Sequence, residues 1–284
     1  MKNDQISLTG DLGSGKSAVS RILSQGLGHR VVSTGLIQRG IAEKYGMTTL
    51  ELNEYTKTHP EIDDEIDGAV SELGKSSEPI IFDSRLAWHF APGTFKVFLL
   101  ADTYVAAERI LKDSRTSENY HDIREAMDQI RARRQSEIDR FRSYYHIDYA
   151  DLGNFDLVIE TTHARPEEVA ECIILNFKRW KNSESFRAFH LSPKNLFPTR
   201  IICCSLDKDH TDIRVLVRDR EFYILNGHAE VSKAIAANSG TVPVEAVFKG
   251  YDELLGQLRM VMIRQWEDMN FVRFRNIPEA YKDM

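Results

Sequence analysis

Short apolar runs alternate with longer amphipathic stretches over the first 180 residues. Ile6-Ser7-Leu8, His29 to Val32, Phe95 to Leu100 and Phe155 to Ile159 read as strands, and Pro79-Ile80-Ile81-Phe82-Asp83 as a buried strand ending in an acid. Between them lie helical patterns: Ala18 to Leu23, a stretch ending near Tyr45, and a polar, acidic stretch from Thr48 to Gly74. That last one carries Ile62, Ile66, Ala69, Val70 and Leu73 at helical spacing. Asp102-Thr103 caps a helix from Tyr104 to about Asp113, an arginine-dense helical pair follows, and Pro166 to Trp180 forms an amphipathic helix. Strands alternating with helices predict a doubly wound α/β sheet over residues 1–182.

Lys181-Asn182-Ser183-Glu184-Ser185 is a polar break, after which acidic and basic side chains balance. A second, smaller α+β domain is expected over residues 190–284. Its predicted strands are Ile201 to Leu206, Ile213 to Val217, Phe222 to Leu225 and Val242 to Val247, with helices from Ala229 to Ala237 and from Tyr251 onward.

With 284 residues the chain can bury a sizeable core. A formal net charge of −6 gives no general attraction to nucleic acid or anionic membrane, so any basic site must be local. Cys172, Cys203 and Cys204 lack metal-ligand spacing, and an adjacent pair rarely bridges, which points to a reduced compartment. No apolar run approaches a membrane span and the first residues lead into a strand, so the cytoplasm is the expected location.

The chemistry concentrates in Gly10-Asp11-Leu12-Gly13-Ser14-Gly15-Lys16-Ser17, a Walker A pattern between a strand and a helix. Gly10, Gly13, Ser14 and Gly15 let the backbone curl so that its N–H groups and the helix start, through Ala18, point at a phosphate chain. Lys16 adds charge and Ser17 offers an oxygen to Mg²⁺, so ATP with Mg²⁺ is the expected ligand. Asp83 and Arg85 sit at the carboxyl end of a strand, where ligands bind in parallel α/β sheets. Nine of the residues from Arg109 to Arg142 are Lys or Arg. They read either as a phosphate-facing lid or as a surface helix laced with Glu125, Asp128, Glu137 and Asp139. The acidic run Asp63-Asp64-Glu65 reads as a solvated helix face.

Four features in this order resemble the cytidylate kinases in their short, archaeal-like form. They are the P-loop; Ser33-Thr34-Gly35 followed by Arg39; Asp83-Ser84-Arg85-Leu86-Ala87-Trp88; and the lid arginines leading to Tyr145-His146-Ile147-Asp148-Tyr149 and Phe155-Asp156-Leu157-Val158-Ile159. Ser84 and His146 stand where that family usually has glycine. The resemblance implies a nucleoside monophosphate kinase acting on CMP or dCMP. In it Lys16 and the loop amides would hold the donor phosphates, and Ser17 the metal. Ser33, Arg39, Asp83 and Arg85 would bind the acceptor, while Arg133 and Arg140 would neutralise charge on the transferring group. Another small acceptor, or a nucleotide-sensing role, are the alternatives. Asp219 to Ala234, with Asn226-Gly227-His228 ahead of a helix, resembles the ParB/sulfiredoxin-like fold, whose Gly-His element cradles phosphates; Glu230 stands where an arginine is common. That substitution suggests a structural, sensing or dimerising module, with a homodimer through this domain and no nucleic-acid or membrane partner.

Overall fold

The computed structural model describes residues 2–47, 51–52, 55–56, 59, 61–112, 120–183, 185–198, 212–218 and 220–248. The chain divides into two compact units, residues 1–187 and 188–284.

The first unit is built on five parallel strands: β1 (Gln5–Gly10), β2 (Arg30–Ser33), β3 (Ile80–Asp83), β4 (Phe95–Leu100) and β5 (Leu157–Glu160), in the order β2-β3-β1-β4-β5. Ile6 lies opposite Ile81 of β3 and Phe95 of β4, so β1 is the central strand. All six of its residues are buried, which explains an apolar run without alternation: helices cover both faces. This is the doubly wound P-loop architecture, with a helical lid, that the strand–helix alternation predicts.

The helices are α1 (Lys16–Leu27), α2 (Thr34–Lys44), α3 (Glu61–Lys75), the single turn α4 (Ala87–Phe90), α5 (Thr103–Lys112), α6 (Ile123–Tyr145) and α7 (Pro166–Lys181). On α3, Ile62, Ile66 and Val70 are buried, so the spacing read from the sequence is the core-facing stripe. Ile62 and Ile66 meet Ile41 and Ala42 of α2, while Val70 meets Phe82 and Ala87. Phe98 and Phe155 pack edge-on at 4.8 Å, and α7 lays Phe177 and Trp180 against Phe95 at 5.6 and 5.3 Å. Burying each such ring contributes about 1.5–3 kcal/mol.

Local chemistry fixes the long lid helix α6 at both ends. Asp122 accepts a hydrogen bond from the Glu125 backbone N–H at 2.8 Å, and Glu125 accepts one from the His121 N–H at 2.7 Å, a reciprocal cap. At the other end His146 adopts φ 57°, ψ 32°, and its N–H bonds to the Arg142 carbonyl. A left-handed residue at a helix end is usually glycine, which gives a physical reason for the family's glycine at this point.

The second unit contains β6 (Ala188–Leu191), β7 (Leu196–Pro198), β8 (Arg214–Arg218), β9 (Glu221–Asn226), α8 (His228–Ala236) and β10 (Val242–Val247). β10 runs antiparallel to β6 and parallel to β8; β8 and β9 form a hairpin, and β7 runs parallel to β9. The strand expected at Ile201 to Leu206, the helix expected from Tyr251 and the adjacent Cys203-Cys204 lie outside the described residues. β6, where Phe189 and Leu191 are buried in alternation, was not foreseen, because four residues are too few for a period of two to register.

Candidate active site

The loop between β1 and α1 starts at Gly10, whose strand partner is Leu99, and ends at Gly15, which caps α1. Gly13 is required twice over. Its φ is +70°, and a Cβ there would stand 2.7 Å from the backbone of Ala106 on α5. The hydroxyl of Ser14 donates to the Asp11 carbonyl at 2.7 Å, closing the curl. Arg109 on α5 braces the loop from behind, donating to the carbonyls of Gly13 (3.2 Å), Thr161 (2.7 Å) and Thr162 (3.2 Å). This lid-region arginine is therefore a structural tie between the loop and the end of β5.

The carboxyl ends of β1, β2 and β3 open on a cleft of about 440 Å³, walled on its other sides by α3 and α6. Lys16, Ser17, Ser33, Asp83, Arg85, Arg133 and Arg140, widely separated in sequence, all line it. Ala18 follows on the first turn of α1, and its N–H bonds to the Gly15 carbonyl at 3.1 Å. Arg39 belongs to α2, and its side chain lies outside what the structure describes. Ser84 also lines the cleft, but its hydroxyl accepts the Leu86 N–H at 3.3 Å and so belongs to the turn after β3.

The charges around the cleft fall into two groups. In the first, Lys16 donates from Nζ to the carbonyls of Gly10 and Asp11, both at 3.1 Å. Burial, then the nearby Arg85, lowers its pKa to about 7, against the pull of Asp83 and Glu137. Arg85 donates from one terminal nitrogen to the Gly10 carbonyl, and its Nε stands 3.1 Å from Oε2 of Glu137. Arg133 Nε is 3.4 Å from Oε1 of the same carboxylate, and the Tyr149 hydroxyl donates to Oε2 at 3.0 Å. Burial works against ionisation of Glu137, yet Arg85, Arg133 and Tyr149 together hold its pKa below the usual carboxylate range.

The second group is acidic. Asp63 and Asp67, one turn apart on α3, line the cleft with Gln38, Arg140, Phe141 and Tyr145. The Tyr145 hydroxyl donates to Asp67. Burial raises the pKa of Asp67 to about 6, with Asp63 and Asp64 adding to the rise and Tyr145 and Arg140 opposing it. Sequence reasoning missed this group, since Asp63 reads as part of a solvated run. The available signal was its position beside the buried stripe Ile62-Ile66-Val70. Glu137 was missed for a similar reason: four residues after Arg133, it resembles one rung of a surface salt-bridge ladder.

The cleft suits phosphate at its cationic group, where the half-buried Arg85 and Lys16 meet a helix start. Ser17, exposed on the first turn of α1, lines the cleft alongside Asp83. One hydroxyl next to phosphate oxygens fits Mg²⁺, which leaves most of its shell to water and phosphate. Among the described residues no helix is long and apolar enough to cross a membrane.

The chain is similar to known proteins. This chain is 35% identical over 173 residues to a cytidylate kinase from Methanobrevibacter smithii, a match covering 61% of this chain and 98% of that one. It is 37% identical over 181 residues to a cytidylate kinase from Sulfurisphaera tokodaii, covering 62% and 98%. Among solved structures, a shikimate kinase from Bacteroides thetaiotaomicron aligns with 63% of this chain and 98% of its own at 14% identity and a TM-score of 0.42. The profile of the cytidylate kinase-like family matches residues 5–163, more than half of the sequence, a span that holds the P-loop, the end of β3 and the lid helix α6, and the chain belongs to that family.

Proposed function

We propose that the chain transfers the γ-phosphoryl group of ATP to the phosphate of a nucleoside monophosphate, CMP or dCMP in preference to others. The observation that carries this reading is the convergence of Lys16, Ser17, Asp83, Arg85 and Arg133 on one cleft, from α1, β3, the turn after β3 and α6, with no other machinery needed. An oxygen of the acceptor phosphate attacks the γ-phosphorus, the bond from that phosphorus to the β-bridging oxygen breaks, and ADP leaves with the electron pair. A dianionic acceptor gives up no proton, so no general base is needed. What is needed is in-line placement and positive charge around the transferring oxygens.

Each residue then has a defined task. Lys16 and the loop amides hold the donor phosphates. Arg85 and Ser33 hold the acceptor phosphate, with Arg39 of α2 as a further cation for it, and Arg133 and Arg140 bring lid charge over the cleft. Mg²⁺, held by the Ser17 hydroxyl, supplies charge neutralisation on the donor when bound. The acidic group supports the base preference. Asp67 and Asp63 can accept hydrogen bonds from an exocyclic amino group, which cytosine has and uracil lacks.

For the second unit we read a structural or dimerising role. Gly227 caps α8 at φ +84°, and a Cβ there would stand 2.8 Å from Ile213, so packing alone accounts for the glycine. Glu230 in the first turn of α8 offers a negative charge where a phosphate would need a positive one.

The test is ADP release with ATP and Mg²⁺ against CMP, dCMP, UMP, AMP, GMP and simple alcohols. Preference for CMP or dCMP is the expected result. Turnover of an alcohol alone, or ATP binding without turnover of any nucleotide, would move the assignment to another acceptor or to sensing.

A further inference from the structure

A buried carboxylate among the cations of a phosphate-transfer cleft is at first sight misplaced, because it repels the anions the cleft must gather. Glu137 is such a group. It lines the cleft, its side chain is 15% exposed, and Arg85 and Arg133 hold its pKa below the usual carboxylate range against the effect of burial. Its partners explain why it is there. Oε2 takes Arg85 Nε at 3.1 Å and the Tyr149 hydroxyl at 3.0 Å, while Oε1 takes Arg133 Nε at 3.4 Å. The same Arg85 guanidinium donates to the Gly10 carbonyl at the start of the P-loop. Arg85 is thus held from two directions, by the loop that receives the donor and by the lid helix α6.

We infer that Glu137 is a positioning residue: it fixes Arg85 for the acceptor phosphate and makes that placement depend on α6 being docked over the cleft. The inference rests on the proposed role of Arg85. An arginine side chain free to rotate loses much of its value as a clamp, since a misplacement of about 1 Å can cost on the order of a hundredfold in rate. With the Nε atoms of Arg85 and Arg133 at 3.1 and 3.4 Å from its two oxygens, Glu137 ties both guanidinium groups to one carboxylate. Tyr149 fixes Glu137 in turn, so the carboxylate cannot follow an arginine that swings away. The lid and the acceptor arginine therefore move as one assembly.

The experiment is a double-mutant cycle with a spectroscopic arm. Glu137→Gln keeps the shape, removes the charge and turns one acceptor into a donor facing an arginine. The expected result is a loss of about tenfold to a hundredfold in kcat/KM for CMP with a change of under about threefold in KM for ATP. In an Arg85→Ala background the same change should cost several-fold less, because only its contact with Arg133 is left to lose. Undiminished cost in that background, or equal losses for both substrates, would overturn the inference. Glu137→Asp, which keeps the charge on a shorter stem, should fall between wild type and Glu137→Gln, and it carries the test if the amide variant does not fold. Independently of turnover, the Arg85 Nε–H of the wild-type protein should be a distinct, slowly exchanging NMR signal that Glu137→Gln removes. A signal that exchanges equally fast in both proteins sinks the inference. Failure of the wild type to phosphorylate CMP alongside a protected Nε–H would instead count against the acceptor assignment and leave the Glu137–Arg85 arrangement standing.

Discussion

Arg134 of the lid helix donates to Oδ1 of Asp11, the second residue of the P-loop, at 2.8 Å, and Asp11 accepts the Ala101 N–H on its other oxygen. Burial pushes the Asp11 carboxyl up, and Arg134 is the largest influence opposing it. The contact latches α6 to the loop, with side chains 29% and 10% exposed. Arg134→Ala removes the largest of the influences that offset burial of this carboxylate and should cost about 1–3 kcal/mol of stability. Asp11→Asn should cost less, and adding it to Arg134→Ala should recover part of the loss. Urea unfolding of the three variants checks this, and additive costs would show that the pair is not coupled.

The lysine of the loop makes a prediction about protons. With its pKa brought down to about 7, mainly by burial and next by Arg85, Lys16 is largely neutral in the free protein at pH 8. Donor phosphates favour the charged form, so ATP binding should take up protons at pH 8 and weaken as pH rises from 7 to 9. Calorimetry in buffers of different ionisation enthalpy reads that uptake. Lys16→Ala should abolish it and lower transfer by on the order of a hundredfold or more. Proton release, or no pH dependence, would contradict the assignment.

Asp67 provides a pH effect on the fold itself. Its pKa of about 6 in the folded protein lies above the ordinary aspartate value of 3.8, because burial disfavours the charge. The folded state therefore binds this proton more tightly than the unfolded chain. The resulting stability is fully present below the ordinary value and is lost as pH rises through 6. Asp67→Asn removes that titration and keeps an acceptor for Tyr145. It should melt close to wild type at pH 4, gain on it up to about pH 7 and keep that advantage at pH 8. The same variant should narrow the preference for CMP over UMP, whereas parallel melting curves would show that the carboxyl is not held in its neutral form.

His146 tests the end of the lid helix. It is exposed and sits at φ 57°, where an L side chain crowds the backbone and glycine does not. His146→Gly should stabilise the protein by about 1 kcal/mol, while His146→Ala should change it by only a few tenths. Chemical denaturation at neutral pH distinguishes the two, and a glycine variant weaker than wild type would show a contact of the imidazole that outweighs the strain.

What was legible in the sequence is what local physics determines. The P-loop was readable because curling a backbone around phosphate demands particular residue types in a fixed order, and β3 because Ile80, Ile81 and Phe82 are buried on both faces. The α3 stripe was readable because burial at Ile62, Ile66 and Val70 repeats with the helix. The roles of Arg109, Arg134 and Glu137 were not. Each sits in a charge-rich stretch whose spacing allows surface ladders, and only the tertiary approach of α5 and α6 to the loop decides that Arg109 braces Gly13, that Arg134 holds Asp11 and that Glu137 is buried. Asp63 and Asp67 were hidden in the same way, since a helix face reads as solvated until another wall stands opposite it.

Every residue lining the cleft falls within residues 1–187, the first compact unit. The family match, residues 5–163, lies within it too. That unit holds five parallel strands and a core of its own, and α7 covers Phe95 with Phe177 and Trp180 before the unit ends. A core of its own is what independent folding requires. A protein ending after Arg187 should be folded, bind ATP and transfer phosphate to CMP with kcat/KM within about threefold of the full chain. The measurement is steady-state kinetics on both proteins, with circular dichroism to establish that the shorter one is folded. A folded piece that binds ATP but does not turn over CMP would show that residues 188–284 complete the site, and would replace the structural or dimerising role proposed for them with a catalytic one.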